Sequence, residues 1–377
     1  MILATVTDFT TLYHDIVVIV CFILAIAYAL KWSPKNATQI IDGNRSNMRL
    51  LVIICLTVCI LIGFRPIVHW GFDDMAVYEY NFKQLASGYV TVDKDKSEWL
   101  WDQLMKWVSM AGGDVSWFFF VVCLGYVFFV LWGLYRLFRN NTTGAMLFFA
   151  GAFSTYSYAT NGIRNGLATS MIILALSFVV DKEKSHWIPA IAIAFVATLI
   201  HKSVLLPIVA LGIAFFLRNI RVAILFWILS IFAYLLVGHT IEQFFTGLGF
   251  DDRLSGYIQN KMQYATEGFK TGFRIDFLIY SFMPILLGWY IVEKKKFVNN
   301  TYTLLLNTYI FSNAVWVMLM GAAYSNRFAY LSWFLYPIVM AYPCLRMNVW
   351  GSKQGKAAAW ILFLNVAFTF FMHFVYY

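Results

Sequence analysis

Charged side chains are scarce in this sequence: Asp, Glu, Lys and Arg together make up 12% of its 377 residues. A soluble domain carries about a quarter charged residues, so this chain has too little polar surface to face water on every side. Hydrophobic residues make up 61% of the chain and aromatic residues 19%. This composition excludes an ordinary soluble enzyme and predicts a protein folded in a lipid bilayer.

Several motifs that would identify a chemistry are missing as well. The sequence contains no P-loop, GxGxxG, HExxH, paired CxxC or GxSxG motif, so ATP hydrolysis, dinucleotide chemistry and zinc hydrolysis have no support. Its five cysteines lie in or beside apolar runs, which is typical of buried thiols rather than of disulfides or metal ligands. We therefore expect no metal site and no cofactor. No basic stretch precedes the first apolar run, so we expect no cleavable signal peptide.

What the sequence has instead is a succession of apolar runs. They predict an all-α, polytopic integral membrane protein with about twelve transmembrane helices, some of them short or broken. We expect residues 1–377 to form a single transmembrane domain. The predicted spans are 16–30, 50–64, 116–135, 144–160, 164–180, 187–200, 203–217, 222–238, 275–292, 301–322, 327–345 and 357–376.

The basic residues predict the orientation of these spans. Lys and Arg concentrate in one set of short loops, and the positive-inside rule places such loops in the cytoplasm. The net charge of +9 therefore indicates membrane topology, and we expect no nucleic acid partner. The two long loops, 65–115 and 239–274, are then external. Tryptophans and other apolar residues recur at helical spacing over 99–108, beside several charged residues, which predicts an amphipathic helix lying in the outer interface.

Polar and charged residues cluster at the external ends of the predicted helices, where lipid makes an unpartnered charge costly. A guanidinium donates two parallel hydrogen bonds to a phosphate, so convergent arginines predict a cationic external cavity for a lipid-linked phosphate or pyrophosphate. The candidate residues are Arg65, Asp73, Asp74, Tyr78, Arg164, Asn165, His201, Lys202, Arg274 and Arg327.

Two of these segments interrupt apolar runs. Gly162 and Gly166 flank Arg164, and this spacing predicts a close backbone approach beside the guanidinium. His201 opens a short polar break, His201-Lys202-Ser203, in the run that ends at Leu217. From the residues alone, His201 is a base, a donor to phosphate or a turn residue. The mixed-charge residues over 251–270 are interpreted as a solvated loop.

The order of these segments resembles the EpsG-like branch of the Wzy-type polysaccharide polymerases. The resemblance rests on an early Arg, a Gly-x-Asp stretch followed by Tyr, an Asn-x-x-Arg helix start, a His-x-Ser break and a late Arg before an aromatic span. These correspond to Arg65, residues 71–78, 161–168, 201–203 and 327–330. Asn165 stands where Gln is usual, and the second stretch is one residue longer, so Asp73 and Asp74 compete for one position.

The resemblance implies an enzyme that polymerises oligosaccharide repeat units carried on undecaprenyl pyrophosphate into exopolysaccharide, capsule or O-antigen. It implies a bacterial inner membrane protein whose site faces the periplasm or exterior, with membrane lipid, a chain-length regulator and a flippase as candidate partners. The cationic residues, with Asn165 and Tyr78, would bind the substrate and its departing pyrophosphate. The base would be Asp73, Asp74 or His201, unless the step is dissociative and needs little help from a base.

Two other functions fit parts of the pattern. A GT-C-type glycosyltransferase that uses a polyprenyl-phosphate sugar would also carry paired acids in its first external loop, as Asp73 and Asp74 are. A flippase for the same lipid-linked unit would share the broken helices and the charges. The product separates the three, because a polymerase makes a ladder of repeats, a GT-C enzyme adds one sugar, and a flippase forms no bond.

Overall fold

The computed structural model describes residues 6–42, 47–65, 67, 73–180, 186–247 and 272–376. Within these ranges all regular structure is helical and there is no strand, which confirms the all-α class. In chain order the helices are α1 (Val6–Trp32), α2 (Ala37–Ile41), α3 (Met48–Gly63), α4 (Asp73–Ala86), α5 (Trp99–Met110), α6 (Val115–Phe138), α7 (Thr142–Ala150), α8 (Thr155–Thr160), α9 (Ile163–Val179), α10 (Trp187–Ile200), α11 (Leu205–Phe216), α12 (Ile220–Gly247), α13 (Ile275–Trp289), α14 (Asn300–Met318), α15 (Asn326–Trp333), α16 (Tyr336–Arg346) and α17 (Gln354–Phe371).

Six helical stretches of the described residues are long and apolar enough to cross a membrane, and shorter apolar helices accompany them. The six are Asp15–Trp32, Val115–Ala150, Ile220–Gly247, Ile275–Lys294, Asn326–Arg346 and Gly351–Tyr376. Large aliphatic side chains on their outer faces are exposed, Leu30 and Leu236 among them, as expected where lipid replaces water. The chain is thus a multi-pass membrane protein. The total of about twelve spans stays a prediction.

Two of the predicted spans are each interrupted. Residues 144–160 form α7 and α8, and the hydroxyl of Thr155 donates to the carbonyl of Phe149 at 2.5 Å across the break. Residues 327–345 form α15 and α16, with Pro337 as the second residue of α16. Proline has no N–H and a fixed φ, so it suits the start of a helix and stops an earlier one from continuing.

The chain divides into two compact units, Met1–His201 with Ala341–Tyr377, and Lys202–Met340. In the first unit α9 is the central helix, because nearly all of its residues are buried and it packs against α6 and α10. The neighbouring α3 packs on α6, α4 on α5, and α1 on α17. That residues 1–377 form a single domain stays a prediction.

The second unit is built around α14, which packs against α11, α12, α13 and α15. Nearly every residue of α14 is buried, including the polar residues Asn307, Thr308, Ser312 and Asn313. Because α14 contacts other helices rather than lipid, it carries polar side chains that an outer helix would not tolerate.

The predicted external loops contain further structure. Residues 65–115 include α4 and α5, and α5 buries Trp101 and Met105 while Trp107 and Met110 are exposed. A helix thus covers these residues, and the amphipathic helix lying in the outer interface stays a prediction. In the second loop the chain stays helical to Gly247 beyond a kink at Val237, whose φ of −139° and ψ of 26° are not helical and which lies one residue from the predicted end of the span 222–238. The solvated loop predicted over 251–270 lies outside the described residues.

Candidate functional site

The break between α8 and α9 is where several elements of the first unit meet. Arg65 follows α3 and is buried, with 4% of its surface exposed. Its guanidinium donates to the carbonyls of Ile62 and Thr160, both at 2.6 Å, and lies 5.1 Å from the ring centre of Phe119. The last carbonyls of a helix lack intrahelical partners, so Arg65 ties the end of α8 to the end of α3.

The start of α4 reaches the same break. The backbone N–H of Asp74 donates to Oδ1 of Asn161 at 3.4 Å. Asp73 is the first residue of α4, so both candidate aspartates lie in its first turn. The residues before them in the proposed motif, Gly71 and Phe72, lie outside the described residues.

Arg164 lies in the first turn of α9, directly after this break. Its Nη1 donates to Oε2 of Glu98 at 2.6 Å, and its side chain is 16% exposed. Among the described residues its guanidinium has no second hydrogen-bond partner. One nitrogen is therefore held by a carboxylate, while Nε and Nη2 are available to an anion.

His201 stands at the end of α10, where the backbone becomes extended (φ −149°, ψ 105°). Its side chain is buried, and Nδ1 lies 2.9 Å from Oε1 of the same Glu98. An ionised carboxylate only accepts hydrogen bonds, so beside an ionised Glu98 this contact assigns the hydrogen to Nδ1.

Glu98 therefore brings together Arg164 and His201, two residues that the sequence analysis selected independently. Sequence reasoning missed Glu98 itself, which it grouped with the solvated charges beside the amphipathic helix. Its partners are 66 and 103 residues away along the chain. No local spacing reveals such a contact. The sequence feature that could have drawn attention to Glu98 is its position directly before an aromatic helix, α5.

Two other candidates of the first unit are buried. Tyr78 in α4 makes an edge contact with Trp101 of α5 at a ring distance of 5.3 Å. Asn165 lies next to Arg164 inside α9. Their predicted contacts with substrate stay predictions.

The remaining cations belong to the second unit. Arg274 precedes α13. Its Nε and Nη2 donate to the two carboxylate oxygens of Asp276 at 2.9 and 2.5 Å. Its backbone N–H donates to the sulfur of Met320. Met320 lies in the turn that leads to Arg327, which opens α15 with its guanidinium 5.0 Å from the ring centre of Tyr324. Arg274 and Arg327 thus lie at one end of this unit. Lys202 is its first residue, in a short 3-10 turn.

No group of three or more His, Cys, Asp or Glu side chains in the described part of the chain is arranged to hold a metal ion. The polar chemistry of the first-unit site comes from Glu98, Arg164 and His201.

A family model described as the EpsG family matches residues 48–377. The chain belongs to the EpsG family. The match confirms the resemblance found from the sequence, and the matched residues of the EpsG family include Glu98, Arg164, His201 and Arg327. Membership of the EpsG family indicates a role of the polysaccharide-polymerase kind. No curated protein and no solved structure matches the chain.

Proposed function

We propose that this EpsG-family protein polymerises oligosaccharide repeat units carried on undecaprenyl pyrophosphate, on the external face of the bacterial inner membrane, into exopolysaccharide, capsule or O-antigen. The observation that supports the proposal is the placement of the Arg164 guanidinium and the His201 imidazole on one carboxylate. A cation for the leaving group and a base for the nucleophile are two groups that accelerate glycosyl transfer from a diphosphate.

The reaction exchanges one C–O bond for another. A hydroxyl of the acceptor unit attacks the anomeric carbon of the donor chain, and the bond from that carbon to the diphosphate oxygen breaks. Undecaprenyl pyrophosphate leaves with the bonding electron pair, and the hydroxyl proton passes to a base. Negative charge grows on the leaving oxygen, so fixed cationic donors lower the barrier.

Arg164 is the first candidate for the leaving diphosphate, because the unoccupied edge of its guanidinium presents two donors in the geometry that a phosphate accepts. We assign Arg65, Lys202, Arg274 and Arg327 as further cationic contacts, together with Asn165 and Tyr78. Arg65 and Arg274 each use two nitrogens of the guanidinium on protein partners, which makes them weaker candidates than Arg164, which uses one.

We favour His201 as the base over Asp73 and Asp74. The hydrogen bond of Nδ1 to Glu98 leaves Nε2 to accept the proton, and the carboxylate stabilises the imidazolium that results. Asp73 and Asp74, in the first turn of α4, are the alternative bases.

The direct test is polymerisation by the purified protein. Incubated in detergent or nanodiscs with an undecaprenyl-pyrophosphate-linked repeat unit, the wild type should produce a ladder of repeats and release undecaprenyl pyrophosphate. Arg164→Ala should abolish long polymer without lowering the protein level. Arg49→Ala, which removes an exposed arginine of the first unit, is the matched control. Addition of a single sugar from a polyprenyl-phosphate donor would favour the GT-C alternative, and transport without bond formation would favour the flippase.

A further inference from the structure

We propose that Glu98 is the positioning residue of this site, an inference that rests on the proposed polymerase function. Its single carboxylate holds the leaving-group cation Arg164 through Oε2 and the base His201 through Oε1, at 2.6 and 2.9 Å. In this proposal Glu98 itself contacts neither the donor chain nor the acceptor unit. Its role is to fix the separation and the orientation of two groups that must act in the same step.

The local structure indicates that this carboxylate is placed for tertiary contacts. Glu98 is the N-cap residue of α5, a position where a side-chain oxygen normally accepts from the free N–H groups of the first turn. Its side chain makes no such bond. It reaches residues of α9 and the end of α10 instead, although 12% exposure deprives the carboxylate of most of its water. A charge so desolvated is stable only when it is paired.

The contact with Arg164 determines which edge of the guanidinium is presented. Because Glu98 takes only Nη1, the fork cannot turn freely, and the Nε–Nη2 edge keeps one direction. An arginine already oriented loses less side-chain entropy when it binds a diphosphate.

The contact with His201 determines the tautomer. A carboxylate at Nδ1 requires the hydrogen on that nitrogen and leaves the lone pair on Nε2. When the acceptor hydroxyl gives its proton to Nε2, Glu98 remains ionised and stabilises the imidazolium, as the orienting carboxylate does in a catalytic triad.

The carboxylate stands on a rigid support. Behind it, Trp101 of α5 is buried against Phe118 and Tyr78, with ring distances of 5.1 and 5.3 Å. The helix also packs against α4, α6 and α10. A group held on a packed helix keeps its position better than one on a loop.

The test is Glu98→Gln, which preserves shape and removes the charge. If the amide oxygen accepts from Arg164, the NH2 group faces His201 and forces the hydrogen onto Nε2, so the base is lost. We expect kcat for polymerisation to fall by roughly 10²-fold to 10⁴-fold, the usual contribution of a general base, with little change in KM. Glu98→Asp should recover part of the rate. Glu79→Gln is the matched control, because Glu79 lies in the adjacent α4 and pairs only with Lys83 on an exposed surface.

A double-mutant cycle distinguishes positioning from general structural support. If Glu98 acts through its two partners, Glu98→Gln should lower kcat much less in a His201→Gln background than in the wild type, because only the contact with Arg164 is then left to lose and groups that act as a unit are not additive. Rates are compared per monodisperse folded protein, so a lower melting temperature does not obscure the result. Wild-type kcat in E98Q, or equal losses in both backgrounds, would overturn the inference while the wild type still makes polymer. Absence of polymer from the wild type would overturn the proposed function itself.

Discussion

A Cβ atom on Gly166 would lie 2.4 Å from the carbonyl oxygen of Tyr158, so α8 and α9 approach each other at a distance that only glycine allows. The flanking glycines of Arg164 predicted a close approach, and for Gly166 the structure confirms it. Gly162 has an ordinary φ of −80°, so its backbone does not require glycine.

Gly166→Ala should therefore lower the free energy of unfolding by about 1–3 kcal/mol, the usual effect of forcing a methyl group into a packed contact. It should also lower polymer yield, since Arg164 lies two residues before Gly166 in the same helix. Thermal unfolding in detergent measures the first effect. Gly212→Ala in α11 is the control, because nothing lies within 4 Å of its Cβ, and it should unfold no earlier than the wild type.

Arg65 gives a second prediction, about stability rather than chemistry. Its two carbonyl partners, Ile62 and Thr160, require separate nitrogens of one fork, which lysine lacks. Arg65→Lys should lower the free energy of unfolding by about 1.5–3 kcal/mol, the worth of a hydrogen bond to a charged group, with Arg49→Lys as the control. Unchanged unfolding together with weakened binding of pyrophosphate would instead assign Arg65 to the substrate, as the sequence analysis expected.

Asn313 gives a third prediction, for the second unit. Its carbonyl accepts from Nε1 of Trp227 at 2.8 Å, and its amide donates to the hydroxyls of Ser281 and Ser332 at 3.1 and 2.9 Å. Asn313→Ala removes three buried partners at once, so we expect it to lower the melting temperature strongly. Asn300→Ala, at the exposed start of the same helix, should leave it unchanged. Equal melting temperatures would show that the network contributes nothing to stability.

The sequence alone could predict most of the helices, because apolar runs bounded by polar residues identify them directly. The start of α9 beside Arg164 and the end of α10 at His201 agree with the predicted boundaries within one residue. The interruptions at 151–154 and 334–335 were not predicted, since apolar composition continues through both. A hydrogen bond from Thr155 to the carbonyl of Phe149 crosses the first break, and Pro337 follows the second. Proline is tolerated inside membrane helices, so it does not identify a break by itself.

The pairing of Arg164 and His201 with Glu98 could not be predicted in the same way. The sequence identified Arg164 and His201 separately because charge in an apolar run is costly. It could not identify the carboxylate they share, because Glu98 lies among other charges in a loop where most acidic residues face water. Only the packing of α5 against α10 distinguishes it.

A fourth prediction concerns Arg327 at the start of α15. Its guanidinium lies 5.0 Å from the ring centre of Tyr324. Because we assign this guanidinium to the departing pyrophosphate, Arg327→Ala should abolish long polymer while the protein level stays unchanged, read from a gel ladder and an immunoblot. Arg218→Ala, an exposed arginine of the same unit, is the control. A normal ladder from R327A would make Arg327 structural.

The last prediction separates the candidate bases. The hydrogen bond between α4 and Asn161 uses the backbone N–H of Asp74, so Asp74→Asn should leave it intact, and Asp73→Asn removes a charge from the same helix start. The helix dipole contributes less than about 1 kcal/mol to each charge, and the variants are compared at equal amounts of folded protein, so a lost ladder reports chemistry. We expect only one of D73N and D74N to be inactive, since one carboxylate occupies the family position. If H201Q retains wild-type kcat while one of the two aspartate variants is inactive, the base is that aspartate. If both aspartate variants are active and H201Q is inactive, the base is His201.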